Sequence, residues 1–315
     1  MIHLNTAADK TLNIVLANTN RALREVLKDI SPKDLQVLTK SKDLGSLLAS
    51  ILKETPQNET QNQALIAQLK NNPTLKTLGS VATTIKELQQ ILQKDKLPVT
   101  AKLQEILSKA VENIMNMDEK ALKNKFENSG IFLESKLKPL NLSEKEIKNI
   151  ISNDLKAVVH KTIQELQNSP TPHKQELIAK LDKLALQIDY YQLLSHLSNA
   201  SALYIPYSFD ALEDGNIKLK NAKNEKFFCD IELQLKEYGA LKLRLGLFEK
   251  NQLSININCE SQALKEKLQE NIAALKKSLF DAGIHPKGIH FIDETNSAAL
   301  YETAEDLQLG FEVKA

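Results

Sequence analysis

The sequence predicts an α+β protein: an N-terminal all-α helical bundle, then a small C-terminal domain with an antiparallel sheet covered by one long helix. Three observations carry this. Residues 228–259 alternate apolar and polar side chains, residues 264–279 place apolar residues at spacings of three and four, and the chain before 198 repeats apolar residues with helical period. The boundary falls in the polar run 195–201, giving a bundle over 1–198 and a second domain over 199–315 with its core at 226–292.

In the first domain, Leu12, Leu16, Thr19, Leu23, Val26 and Ile30 form one stripe, ended by Ser31-Pro32. Pro32 suits the first turn of a helix through Leu35 and Leu38, another runs over 43–54 to Thr55-Pro56, and 57–63 is a loop or a helix start. Leu78, Val81, Ile85, Leu88 and Leu92 give the next stripe, and Pro98 opens a helix with Leu103, Ile106, Leu107, Val111 and Ile114. Such short stripes favour an intramolecular bundle over a coiled coil. In 126–137, Asn128-Ser129-Gly130 breaks one helix, Asn128 or Ser129 caps the next, and Ile131, Phe132 and Leu137 bury one face. Ser143 and Glu146 make a capping box for a helix carrying Ile147, Ile150, Ile151, Leu155, Val158, Val159 and Ile163. A last helix carries Leu177, Leu181, Leu184, Ile188, Tyr191 and Leu194.

In the second domain, 202–209 and 216–220 read as strands joined by Leu212-Glu213-Asp214-Gly215. Three alternating strands follow. Their apolar sets are Cys229, Ile231, Leu233 and Leu235, then Leu241, Leu243, Leu245 and Leu247, then Leu253, Ile255, Ile257 and Cys259. A slip of one residue swaps faces, so each hairpin loop must have an odd length. Loops Glu237-Tyr238-Gly239 and Glu249-Lys250-Asn251 satisfy this, with Gly239 and Asn251 left-handed. This register sets Leu233 opposite Leu243, Leu243 opposite Ile257, and Glu232 opposite Arg244. It places Cys229 opposite Leu247 and Cys259 opposite Leu241, about 20 Å apart, too far for a disulfide. Ser261 caps the covering helix of Leu264, Leu268, Ile272, Leu275 and Leu279, Gly283 ends it, Pro286 prevents its resumption, and Ile289 and Phe291 return as a short strand.

The run from Leu235 through Gly239 into the leucine strand, then Leu253-Ser254-Ile255, then Leu275 and Leu279 closing on Ala282-Gly283-Ile284, resembles the C-terminal domain of flagellar hook-length control proteins. A similar Asn-Ser-Gly, Phe-Leu-Glu and Lys-Leu pattern lies upstream in relatives, as in 128–137 here. Where the family carries Pro and Leu around its Leu-Gly turn, this chain has Leu235 and Tyr238.

Composition narrows the function classes. With 41 basic and 40 acidic residues the net charge is +1, which gives no electrostatic reason for binding nucleic acid or an anionic membrane. Lys226-Phe227-Phe228 is the nearest approach to a base-stacking surface, and Phe227 and Phe228 straddling the start of an edge strand is the plainer reading. No stretch approaches the ~20 apolar residues of a membrane span, and 1–10 do not read as a signal peptide. Two buried free cysteines suit a reducing cytoplasm. The histidines His3, His160, His173, His196, His285 and His290 are scattered, so no metal site or other cofactor is expected. No phosphate loop or nucleophile elbow occurs, and the acids Glu144, Glu146, Glu302, Glu305 and Asp306 read as solvated helix faces, so no catalytic residue is assigned and an enzyme is not expected.

The resemblance implies a non-catalytic protein that switches export substrate specificity by docking its C-terminal domain on the cytoplasmic part of the flagellar type III export gate. The partner-binding residues expected are Glu237, Tyr238 and Gly239 at the hairpin tip and Lys242 and Arg244 on the wet face. The protein would be cytoplasmic, and a type III substrate can leave without a cleavable signal. Residues 1–198 read as compact rather than as the extended Pro-, Gln-, Ser- or Thr-rich segment of a length-measuring ruler, so a switch protein and a ruler-less paralogue both fit. The alternative is a cytoplasmic scaffold or chaperone-like adaptor whose bundle holds a partner helix.

Overall fold

The structure, a computed structural model, describes residues 20–28, 59–94, 97–110, 112–139, 141–169, 173–198, 200–222, 226–249 and 251–292. The helices expected over 31–54, and most of the stripe from Leu12 to Ile30, lie outside these residues. The chain divides into two units, Met1–Phe209 and Asp210–Ala315.

In the first unit the described helices are α1 (Arg21–Lys28), α2 (Glu59–Asn71), α3 (Pro73–Lys76), α4 (Val81–Lys94), α5 (Ala101–Ala110), α6 (Glu119–Glu127), α7 (Leu133–Leu137), α8 (Glu144–Asn153), α9 (Leu155–Gln167) and α10 (Lys174–Ser198). Helix α10 is the hub, with α1, α2, α4 and α9 packed against it. Leu177, Leu181, Leu184 and Ile188 are buried along it, and Leu193 and Leu197 join Leu23, Val26, Leu65 and Leu69 in one apolar cluster. The unit is not purely helical. Short strands β1 (Glu112–Asn113) and β3 (Tyr207–Ser208) pair in parallel, and β2 (Ser201–Tyr204) follows α10. Ile114, expected inside a helix, sits 36% exposed in a 3-10 turn.

The long helix expected from Ser143 to Ile163 is two helices. The Ser143–Glu146 capping box is present and opens α8, but α8 ends at Asn153 and Asp154 becomes the N-cap of α9, accepting from the Lys156 and Ala157 amides. Burial explains the break. Asp154 is fully buried, its Oδ2 lies 2.7 Å from Lys136 Nζ, and burial lifts its carboxyl above the usual range. Neither Asn128 nor Ser129 caps α7, which starts after Phe132 without a side-chain cap. Ser129 Oγ instead donates to the Phe126 carbonyl, and its own carbonyl accepts from Tyr204 Oη at 2.9 Å.

A buried ammonium joins three of these helices. Lys156, only 4% exposed, donates to Glu134 Oε1 at 2.6 Å and Gln192 Oε1 at 2.9 Å, and lies 2.8 Å from Asp189 Oδ1. Three acceptors satisfy its three donors. Asp189 also accepts from the Arg21 amide at 2.8 Å, where its charge favours the N-terminus of α1. Gly130 lets the backbone reach this lysine: at φ +92°, a Cβ there would stand 2.9 Å from the Lys156 amide nitrogen.

In the second unit five neighbouring strands run in the order β4 (Leu212–Ala222), β5 (Lys226–Leu235), β6 (Gly239–Phe248), β7 (Gln252–Cys259) and β8 (His285–Phe291). The expected faces hold, and so does the β6–β7 register, with Leu243 opposite Ile257. The β5–β6 register differs. The three-residue turn is Lys236-Glu237-Tyr238, one position earlier, so Leu233 faces Leu241 and Ile231 faces Leu243. Arg244 therefore pairs with Asp230 rather than Glu232, and Cys229 faces Leu245 rather than Leu247. Both cysteines are free. In the second hairpin Glu249, at φ 46°, takes the left-handed conformation expected of Asn251. Leu212-Glu213-Asp214-Gly215 is no loop but the start of β4, with a register shift between Leu212 and Asp214.

The single covering helix is also corrected. Ser261 caps it as expected, but α11 (Gln262–Glu270) and α12 (Ile272–Asp281) meet at Asn271, and Leu264 is the only buried residue of the two. Leu275 is 38% exposed. Helix α12 ends in a Schellman motif, with Gly283 donating to Phe280 and Ile284 to Leu279. The crossover returns β8 parallel to β7, Ile289 opposite Ile255 and Phe291 opposite Ile257, so the sheet is not wholly antiparallel. No helix among the described residues is long and apolar enough to cross a membrane.

Two outcomes follow from the ion network. Lys156→Ala strips the cation from the fully buried Asp189 and should cost about 3–5 kcal/mol in urea unfolding. His160 is held below its ordinary pKa by burial, with Arg21 and Lys156 adding to the effect. A depressed pKa keeps its stability above the unfolded value near 6.5 and loses it as pH falls, so His160→Gln should flatten the decline in unfolding free energy from pH 7 to 5.

Candidate docking surface

The β5–β6 hairpin turn is built by contacts on both sides. Lys236 donates its amide to the Ala211 carbonyl at 3.0 Å and its ammonium to the Asp210 carbonyl at 2.6 Å. Gly239 follows at φ +70°, and a Cβ there would meet Glu260 Oε2 at 2.2 Å. That carboxylate accepts the Ala240 amide at 2.7 Å, while Glu260 donates its own amide to the Ala240 carbonyl at 3.0 Å. Tyr238 is half-buried rather than free: its hydroxyl bonds to the Lys267 ammonium, which lies 4.9 Å from the ring centroid. This bond raises the Lys267 pKa, so α11 holds the hairpin tip through a cation. Glu237 is exposed.

The polar face beyond the tip is a ladder of paired groups. Arg244 donates to both oxygens of Asp230, at 2.7 and 3.2 Å, with 12% and 21% of the two side chains exposed. Lys242 stands opposite Glu232, which accepts from Asn216 at 3.1 Å. At the far end the face turns apolar. Phe228 and Phe248 meet edge to face at 5.8 Å beside Gly246, with Lys226 5.9 Å above Phe248. Phe228 is 8% exposed, and its strand is interior rather than an edge, because β4 pairs with it. Its ring is not available for stacking on a base.

On the opposite face Leu235, Leu241, Leu253, Ile255 and Ile257 are buried, while Ile231, Leu233, Leu243 and Leu245 are only half-buried. Cys229 lies among them, where burial and the neighbouring Asp230 push its thiol up to about 12, and burial also raises Cys259.

Of the five expected contact residues, Glu237, Tyr238 and Gly239 share the tip and Lys242 and Arg244 share the polar face. Sequence reasoning misses Asp230 because a loop read one residue late hides its pairing with Arg244, and it misses Glu260 and Lys267 because they reach the tip from the end of β7 and from α11.

Residues 215–299 match the family model of the flagellar hook-length control protein FliK. The match covers well under half of the chain and takes in β5 to β8 with both helices of the crossover. The hairpin tip and the polar ladder thus lie inside the FliK-like region. No curated protein and no solved structure matches the chain. Among the described residues, no group of His, Cys, Asp or Glu could hold a metal ion.

A thiol at about 12 is almost wholly protonated at neutral pH. Alkylation of Cys229 by iodoacetamide at pH 8 should therefore run at least ~100-fold slower in the folded protein than in urea, by mass spectrometry.

Proposed function

We propose that this protein acts in flagellar hook-length control by docking its C-terminal unit on the cytoplasmic part of the export gate. The observation that carries this is the FliK family match over 215–299. The surface supports it: the exposed Glu237 and the half-buried Lys242 present charge beside a hairpin tip tied to Glu260 and Lys267. In this reading the first unit supplies no ruler, and the sheet supplies the contact. Rim charges act mainly on encounter and orientation.

Two measurements test the proposal together. Deletion of the gene should broaden the hook-length distribution seen by electron microscopy, and immobilised full-length protein should retain an export-gate component. Lys242→Gln, which removes the charge without setting a second carboxylate opposite Glu232, should weaken that retention about tenfold, ~1.4 kcal/mol, with little change in the unfolding midpoint. Normal hook lengths together with no gate component retained would overturn the reading.

A further inference from the structure

The sheet of the second unit has an open side at β8. In the strand order of the second unit β8 is terminal, so one side of it has no neighbouring strand among the described residues. Ile292 donates its amide to Ile257. Because backbone groups alternate along a strand, the N–H and C=O groups of Ile289 and Phe291 point away from β7, toward the open side. Pro286 and Lys287 guard only the beginning of this strand, where one lacks an amide hydrogen and the other carries an exposed charge. Nothing comparable protects Ile289 to Phe291. Beside it, α12 buries none of its residues and leaves Leu275 and Phe280 exposed by 38% and 53%.

The sequence beyond Ile292 contains a segment with strand periodicity. Residues 307–313 read Leu-Gln-Leu-Gly-Phe-Glu-Val: Leu307, Leu309, Phe311 and Val313 alternate with Gln308, Gly310 and Glu312, the same period-two pattern that makes β5, β6 and β7 strands. The segment has seven residues, as does β8. The intervening stretch 293–306 is longer than a hairpin loop needs, so the ends can be joined. Its apolar set would extend that of Ile289 and Phe291 on one face of the sheet.

We propose that residues 307–313 bind the open edge of β8 as a further strand of their own sheet. The interaction is strand addition: main-chain bonds to Ile289 and Phe291, with Leu309 and Phe311 extending the apolar set of that strand.

Amide exchange of the full-length protein, followed residue by residue by NMR, tests this directly. The amides of Ile289 and Phe291 should be protected to a degree comparable with Ile292, although β7 takes only the latter. In full-length Leu309→Asp/Phe311→Asp, exchange at Ile289 and Phe291 should accelerate at least tenfold while Ile292 keeps its protection, which shows that the sheet is still folded. Gln308→Lys, on the other face, should change neither. Fast exchange at Ile289 and Phe291 in the unsubstituted protein, or protection unchanged by the double substitution, overturns the proposal. So does protection that appears only as the protein dimerises on concentration, since the occupant would then come from a second copy.

Discussion

The first unit depends on one buried charge. Lys156 sits where α7, α9 and α10 converge, and a lysine ammonium taken out of water is tolerated only when its donors find acceptors. Glu134, Asp189 and Gln192 provide them, and each is committed elsewhere as well. Gln192 reaches back to the Ile131 carbonyl, Asp189 takes the first amide of α1, and Glu134 receives the Gln192 amide. The network therefore sets how α1 and α7 lie on α10, beyond what the leucine stripes specify. Apolar packing tolerates small rotations, whereas three acceptors around one ammonium do not.

The second unit is organised by a parity constraint. Every strand from β5 to β7 places its alternating Leu, Ile and Cys residues on one face because both hairpin turns have odd length. This made the faces legible even where the register was not. Moving the first turn back by one residue slides β5 by two positions against β6, which preserves parity but changes every partner. The deciding contact is Glu260, whose carboxylate occupies the space beside Gly239 and bonds the next amide. Nothing near the turn in sequence announces a residue from the end of β7. The β6–β7 register agrees with the sequence pattern, with Phe248 opposite Gln252 and three residues between them.

Elsewhere the sequence failed where a polar residue outweighed an apolar stripe. The stripe through Ile150, Ile151 and Leu155 continues helical spacing across Asp154, yet Asp154 turns inward, where two amides and an ammonium meet its carboxylate, and caps a new helix. Asn271 interrupts the crossover differently: it is exposed and makes no side-chain cap, and its side-chain amide donates back to the Lys267 carbonyl at 2.8 Å. Nothing in the sequence around Lys156 marks it as buried, since its partners lie 22, 33 and 36 residues away. The FliK-like region was legible because alternation and turn chemistry are local signals. The ion network was not, because it is assembled wholly from long-range contacts.

The parallel return of β8 has a consequence for the order in which the unit gains and loses structure. Strands β5 to β7 are joined by turns of three residues, so their pairing closes short loops. Strand β8 can pair only after the chain has traversed 260–284, a larger loss of chain entropy for its ladder. Its bonds are also the ones next to a helix that buries nothing. The meander of β5 to β7 therefore holds the most local contacts of the unit, and β8 with α12 is the part whose ladder costs the most chain entropy to close.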